Sequence, residues 1–345
     1  MKTQLPRLGV ATRPSLLAAI VSLALGAHAL GQVTPDRLYY GIDREVPMTV
    51  KIPDAKKGDA AIQLLEPSTF KVLATAPVTA GAVNLATLFP TIWTEKSPKL
   101  AYAQLVVGTE PVGPAVVLQP MTSQPRAQII YTEPRQPHDQ GRLVWSEVPD
   151  VAKIYSGIRA YVDKHIVMDT TLGSIEIELR PDVAPNTAWS FRHLAEGGFY
   201  TDIKIHRIAK NNGQGHPFVI QAGDPNGSGA GGPGFNIDLE KSNLPHDFGI
   251  VSMARTNSPD TGGSQFFICL SREGTAFLDG PYCSFAQCVS GADTISKLAT
   301  VDTLPRSDTP VNAPKIKSAK LVAAPPYGKG PKTVTKPNAE KPTER

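Results

Sequence analysis

The sequence predicts a mainly β protein in two parts. A closed β-barrel capped by two helices is expected over residues 161–323, and a small β-rich unit with the strand spacing of a sandwich over residues 31–122. Three observations predict this. Short apolar runs of strand length recur along the chain; Pro and Gly punctuate them closely; and only two well-defined segments of the second part carry helical spacing.

The first segment reads as an export leader. Lys2, Arg7 and Arg13 give a positive start, Leu16–Leu25 is almost wholly apolar, and Ala27-His28-Ala29 fits an A-x-A cleavage pattern, so residues 1–29 are expected to be a signal peptide. The alternative is an uncleaved anchor, but the run is short against the roughly 20 residues a span needs. No later segment is long and apolar enough to cross a membrane. An exported protein is therefore expected, in the periplasm or cell envelope or outside the cell, with no stable membrane insertion after cleavage.

In the β-rich unit, Val46–Ile52, Ala61–Leu65, Phe70–Ala74, Ala101–Val107 and Ala115–Leu118 are short apolar runs. They are broken by Pro53, Gly58, Pro67, Pro77, Gly81, Pro90, Gly108, Pro111 and Pro114. No cluster there has catalytic character, which makes it an accessory domain. Residues 123–160, with Pro125, Pro134, Pro137 and Pro149, read as a connector, and 154–162 as a short helix leading out of it. Ile166–Thr170 and Ile175–Leu179 flank Leu172-Gly173-Ser174 as a hairpin whose buried face holds Ile175, Ile177 and Leu179. Ala188, Phe191, Leu194 and Ala195 fall at helical spacing, with Asn186 as the cap and Gly197-Gly198 as the stop. Phe218–Ala222, Ile250–Met253, Phe266–Leu270 and Cys283–Val289 read as strands, Ala292–Ala299 as the second helix, and Ile316–Val322 as a closing strand. Residues 324–345, rich in Pro and Lys, read as a disordered tail.

Hydrophobic residues make up 41% and charged residues 19% of 345, with a net charge of +4, which fits a globular protein. No dense Lys/Arg stripe with interleaved aromatics is present, so nucleic acid is not an expected partner. Cys269 sits in an apolar run and reads as a packed thiol; Cys283 and Cys288 are candidates for pairing, and the odd count of three leaves at least one unpaired. Gly227-x-Gly229-x-x-Gly232 matches a dinucleotide fingerprint literally, but Pro233-Gly234 prevents a helix from starting there to receive a pyrophosphate. Gly263-Ser264 lacks the rest of a nucleophile elbow. His206 and His216 have no donors at metal-ligand spacing. Asp224 reads as a turn or core hydrogen-bond residue.

Several blocks in order carry a specific resemblance. Ile205-His206-Arg207-Ile208 and Phe218-Val219-Ile220-Gln221-Ala222-Gly223-Asp224-Pro225 come first, followed by the glycine run 227–234. Ser252–Thr256, Gly263–Ile268, Phe277-Leu278-Asp279-Gly280 and Ser284-Phe285-Ala286 follow. Together these resemble the cyclophilin-type peptidyl-prolyl cis/trans isomerases, from about Tyr161 to Val322. The resemblance implies a cyclophilin-like closed barrel, an isomerase (rotamase) activity on proline-containing polypeptides, no cofactor and no metal, and a monomer.

It also implies roles. Arg207 donates to the proline nitrogen as the peptide bond twists. Phe218, Val219, Phe267 and Leu278 form the proline pocket, with Phe277 and Tyr282 at its rim. Gln221 orients Arg207 or the substrate, Gln265 acts from the facing strand, and the backbone of Arg255 pairs with the bound peptide. Phe277 stands where many eukaryotic members have Trp, a change expected to alter inhibitor affinity more than catalysis. Arg255 replaces a common Asn and Tyr282 a His, and all three variants look like those of bacterial members. The stretch Ala209–Pro217 is several residues longer than usual, and is either a gate or an inert surface loop. The rival functions are a slow-turning binding module for proline segments and a holding chaperone acting through the β-rich unit.

Overall fold

The computed structural model describes residues 31–94, 99–122, 127–131, 143–147 and 154–337. The expected leader, 1–29, lies outside the described residues. In the N-terminal part, Gln32–Pro35, Pro47–Lys51 and Gly81–Asn84 form one antiparallel sheet. A larger sheet runs in the order 39–41, 155–162, 116–122, 101–107, 60–65, 72–78, with 110–111 paired to 101–107. Val33, Met48 and Val50 from the small sheet and Ile62, Ala103, Leu105, Val116 and Ile158 from the large one share a single core. Alternate residues on both inner faces thus bury together, as in a sandwich.

The expected helix at 154–162 is a strand instead. Tyr155–Val162 pairs with both 116–122 and 39–41, and so belongs to the accessory domain rather than to a connector. Ile158 and Ala160 join the sandwich core while Tyr161 joins a separate cluster, and Gly157, at φ 138°, stands where a helix would need φ near −60°. Among the described residues, the strand Val72–Val78 is an outer edge, hydrogen-bonded to Ala60–Leu65.

The second part is a barrel. Its elements are β1 (Lys164–Thr170), β2 (Gly173–Leu179), α1 (Pro185–Glu196), β3 (Ile203–Lys204), β4 (Arg207–Ala209), β5 (Val219–Ala222), β6 (Ile250–Met253), β7 (Phe266–Cys269), β8 (Ser284–Ser290), α2 (Ala292–Ala299) and β9 (Lys315–Ala323). The strand order is β3-β9-β1-β2-β8-β6-β7-β5-β4. The two ends of this path, β3 and β4, are successive pieces of one segment, Ile203–Ala209, so the sheet closes on itself. The expected hairpin is present as β1 and β2, with Asp169 opposite Ser174. Inward-facing Ile166, Met168, Ile177, Ile208, Ile220, Phe266 and Phe285 fill the interior, and α1 packs Phe191 into it against Tyr200, Phe266 and Phe285.

Asn186 is not the cap of α1. Ala184 holds that position and Pro185 opens the helix. The free N–H groups of Asn186 and Thr187 donate instead to the Glu240 carboxylate, at 3.0 and 2.7 Å. A carboxylate at this end also meets the positive end of the helix dipole.

The three cysteines are free and buried, so Cys283 and Cys288 do not pair. Cys283 lies against Thr187 and Cys288 in the barrel interior. Burial pushes the Cys283 thiol up to about 12 and raises Cys269 and Cys288 further, which suits packed thiols rather than nucleophiles.

The tail is not free over its first part. Tyr327 stacks on Tyr102 with centroids 4.0 Å apart, donates from its backbone N–H to Gln104 at 2.9 Å and from its hydroxyl to the Pro67 carbonyl. Further along, Val334 donates to the Cys288 carbonyl at 2.9 Å and packs on the barrel core. One aromatic and one aliphatic side chain in a polar segment supply the burial that its average composition conceals. Residues 338–345 of the expected tail lie outside the described residues.

Candidate active site

Strand alternation builds the site on the outer face of the barrel. In β5, Ile220 and Ala222 enter the interior, so Val219 and Gln221 face out; in β7, Phe266 and Ile268 enter it, so Phe267 and Cys269 face out. Register then sets neighbours: Arg207 lies opposite Gln221, and Gln221 opposite Phe267. Residues separated widely in sequence thereby form one row across β4, β5 and β7.

A chain of polar contacts runs along that row. Arg207 Nη1 donates to Gln221 Oε1 at 3.2 Å, and Gln221 Nε2 to Gln265 Oε1 at 3.0 Å. Gln265 Nε2 donates to the carbonyls of Gly229 and Gly231 at 3.0 and 2.8 Å. Arg207 is also held from its far side, with Nε donating to Asp308 Oδ2 at 3.0 Å. Its guanidinium lies over the Phe218 ring, 5.8 Å from the centroid.

Beside this row is a small apolar cluster separate from the barrel interior. Val219, Phe267 and Leu278 are buried in it, with Phe218 and Tyr282 packed against its edge. Phe277 is 61% exposed and stacks on Phe218 with centroids 5.8 Å apart. Tyr282 meets Phe267 edge-on at 5.7 Å. The structure therefore brings Arg207, Phe218, Val219, Gln221, Gln265, Phe267, Phe277, Leu278 and Tyr282 together. Arg255 sits at the far rim: its guanidinium covers Tyr282 at 4.5 Å and donates to the Pro281 carbonyl at 2.8 Å.

Two residues that the sequence did not single out complete the floor. His246 is fully buried and stacks beneath Phe267 at 6.0 Å. Its ring nitrogens meet Asp279 and Ser252, each at 2.9 Å. Burial holds the imidazole below its ordinary pKa, against the opposing pull of Asp279. Burial alone would raise the Asp279 carboxyl, but hydrogen bonds from Arg272 and His246 outweigh it and hold it at about 2. Asp308 is the other, and it reaches Arg207 from a loop 101 residues away. Nothing in its sequence surroundings marks it. Asp279 stood inside a quoted block, so its position was visible though its role was not.

The glycine run is organised by Asp224, which accepts from the backbone of Asn226, Ser228 and Gly229 at 2.7, 2.8 and 2.5 Å. Burial would raise this carboxyl; the surrounding N–H donors prevail and hold it at about 2. Gly223, at φ 95°, lets the chain enter the loop where a Cβ would come within 2.2 Å of the Ser264 carbonyl. The run binds its own aspartate rather than presenting a free phosphate cradle. The long stretch 209–217 is a self-bonded turn: the Asn212 side chain accepts from Gln214 and His216, and Asn212 Nδ2 donates to the Gly274 carbonyl. Among the described residues, no group of three His, Cys, Asp or Glu is placed to hold a metal ion.

The chemistry of this arrangement follows from its parts. A fixed cation beside a small apolar cluster can stabilise a proline nitrogen that has lost amide resonance.

Residues 165–321 match the family model described as cyclophilin type peptidyl-prolyl cis-trans isomerase/CLD. The chain is 39% identical over 164 residues to the peptidyl-prolyl cis-trans isomerase-like 1 protein of Emericella nidulans, an alignment covering 46% of this chain and 95% of that one. The protein of the same name from Aspergillus fumigatus is 37% identical over 162 residues, covering 46% and 94%. A crystal structure of a Cryptosporidium parvum cyclophilin type isomerase aligns with 47% of this chain and 99% of its own, at 31% identity and a TM-score of 0.43. The chain belongs to the cyclophilin-type peptidyl-prolyl cis-trans isomerase family.

Proposed function

We propose that this isomerase accelerates X-Pro rotation in exported polypeptides as they fold, with Arg207 as its catalytic residue. The observation that carries this reading is the row Arg207–Gln221–Gln265 at the edge of the Val219, Phe267 and Leu278 pocket. An X-Pro bond exchanges over tens to hundreds of seconds because amide resonance sets a barrier of about 18–20 kcal/mol. The twisted state has a pyramidal proline nitrogen with a lone pair, which neither planar ground state offers. Phe218, Val219, Phe267 and Leu278 hold the ring; Arg207, aimed by Asp308 and Gln221, donates to that lone pair. This is stabilisation of the transition state in preference to the ground states. The Arg255 backbone and Gln265 take the flanking peptide as an added strand would. No side chain needs to accept a proton or form a bond.

The exported setting is supported by the leader features at residues 1–29. The Phe277, Arg255 and Tyr282 variants favour a bacterial-like member; that it works as a monomer, in the periplasm or cell envelope or outside the cell, is part of the same proposal.

A protein whose refolding waits on one X-Pro bond tests the reading. The wild-type chain at catalytic concentration is expected to shorten that slow phase. Arg207→Ala is expected to lose most of the effect, about 10- to 100-fold in kcat/KM, the equivalent of one charged hydrogen bond of about 1.5–3 kcal/mol. Equal acceleration by both would remove Arg207 from catalysis, and none by either would leave a proline-binding module.

A further inference from the structure

Between the short helical turn Ala276–Leu278 and β8 the chain doubles back at Gly280-Pro281. Gly280 takes φ 86° there, and an added Cβ would meet nothing within 4 Å. The return is pinned at two backbone points. The Tyr282 N–H donates to the Leu278 carbonyl at 3.1 Å, and the Cys283 carbonyl accepts from Met253 at 2.9 Å. Pro281 itself has no N–H, and its carbonyl comes before the ladder of β8, which begins at Ser284.

Arg255 reaches that carbonyl from just beyond the end of β6. Its Nε and Nη2 both donate to the Pro281 oxygen, at 3.1 and 2.8 Å. Its Nη1 donates to the carbonyls of Thr256 and Asn257, at 2.8 and 3.4 Å. One guanidinium therefore ties the loop after β6 to the turn before β8. The same group lies over the Tyr282 ring, 4.5 Å from the centroid. Among the described residues, each hydrogen bond of this side chain goes to a carbonyl and none to a carboxylate, so no counter-ion competes with the ring for its charge. The set needs the planar fork of an arginine. A lysine carries its donors on one atom and cannot serve two backbone segments while facing the ring.

Tyr282 is the rim residue of the apolar cluster at the site. Its ring meets Phe267 at 5.7 Å and 78°, and Phe267 is buried there with Val219 and Leu278. The tyrosine is thus held between a buried aromatic ring and a cation that is itself anchored to two loops. A ring ordered before a ligand arrives spares that ligand the cost of ordering it.

We propose that the Arg255 side chain is a positioning residue of the isomerase, which clamps Tyr282 against Phe267 and so pre-forms the outer wall of the proline pocket. The proposal rests on the isomerase reading, and it is separate from the pairing of the Arg255 backbone with the peptide. The guanidinium acts through Tyr282 and does not meet the reacting nitrogen. A wall grips the proline ring alike in the cis, twisted and trans states, so the clamp sets KM rather than kcat.

The full chain is assayed for cis/trans exchange of an Ala-Pro tetrapeptide with wild type, Arg255→Ala, Arg255→Lys, Tyr282→Ala and the double variant Arg255→Ala/Tyr282→Ala. Arg255→Ala is expected to raise KM by about three- to tenfold with kcat and melting temperature nearly unchanged, and Arg255→Lys to recover only part of the loss. Tyr282→Ala is expected to raise KM at least as much, and the double variant to match Tyr282→Ala, because the arginine has then lost the group it acts through. An unchanged KM in Arg255→Ala, a fall in kcat alone, or losses that multiply in the double variant would overturn the clamp. If the wild type does not turn over the peptide, the isomerase reading fails. Nuclear Overhauser contacts between the Tyr282 and Phe267 rings then decide the clamp by itself: contacts that weaken in Arg255→Ala support it, and contacts that stay as in the wild type overturn it.

Discussion

Arg207 is aimed from both sides, by Gln221 at 3.2 Å and by Asp308 at 3.0 Å. The Arg207–Asp308 pair is about 40% exposed on each side (39% and 43%), so it adds little to stability, within about 1 kcal/mol. Its value lies in direction. Asp308→Ala is therefore expected to lower kcat/KM about three- to tenfold while leaving the melting temperature nearly unchanged; a large fall in melting temperature with normal turnover would make the pair purely structural. Residue identities at the row were legible because Arg207, Gln221 and Gln265 stand in ordered blocks whose spacing carries information. Asp308 and His246 were not. Each is an ordinary polar residue whose partner is distant in sequence, and only closure of the barrel brings them to the site.

At the scale of elements, the glycine run shows how a loop is held without regular structure. Asp224 is buried and accepts from three backbone N–H groups. Its folded-state pKa of about 2 lies below the ordinary 3.8. A carboxyl lowered in the folded state contributes stability that is present above the unfolded pKa and is lost as pH falls from about 4 toward 2. Asp224→Ala is expected to cost about 2–3 kcal/mol in urea unfolding at pH 7 and to flatten that acid limb; an unchanged limb would show that Asp224 does not hold the loop. The loop also matters to the site, because Gln265 donates to the Gly229 and Gly231 carbonyls. Elements with clear periodicity, such as β1, β2, α1 and α2, were legible from sequence. The strand 155–162 was misread because its short, Pro-flanked run admits either period, and pairing with 116–122 and 39–41 decides for the strand. The α1 cap was misread for a related reason: Glu240 supplies the acceptor from 53 residues away, which no local rule can see.

At the scale of the whole molecule, two domains are tied together by the chain's last described segment. Tyr327 binds Tyr102, Gln104 and Pro67 of the accessory domain, and Val334 binds beside Cys288 of the barrel. A second tie lies between Arg159 of the large sheet and Trp189 of α1, whose ring the guanidinium covers at 4.7 Å. These contacts join the N-terminal sandwich to the barrel. Wild-type protein is accordingly expected to unfold in one calorimetric transition. Removing residues 324–345 is expected to split it into two or to broaden it markedly; a single unshifted transition would mean that the tail couples nothing. Composition pointed to disorder here because average polarity hides a single well-placed tyrosine.

The central claim is that a fixed guanidinium beside an apolar pocket rotates the X-Pro bond. It is tested most directly by the cis/trans exchange rate of an Ala-Pro peptide, measured by NMR exchange spectroscopy with wild type, Arg207→Ala and Arg207→Lys. The account predicts strong acceleration by the wild type, loss of most of it in Arg207→Ala, and only partial recovery in Arg207→Lys, because a lysine lacks the planar fork that Asp308 and Gln221 hold. Undiminished exchange in Arg207→Ala, with the variant folded, would contradict it.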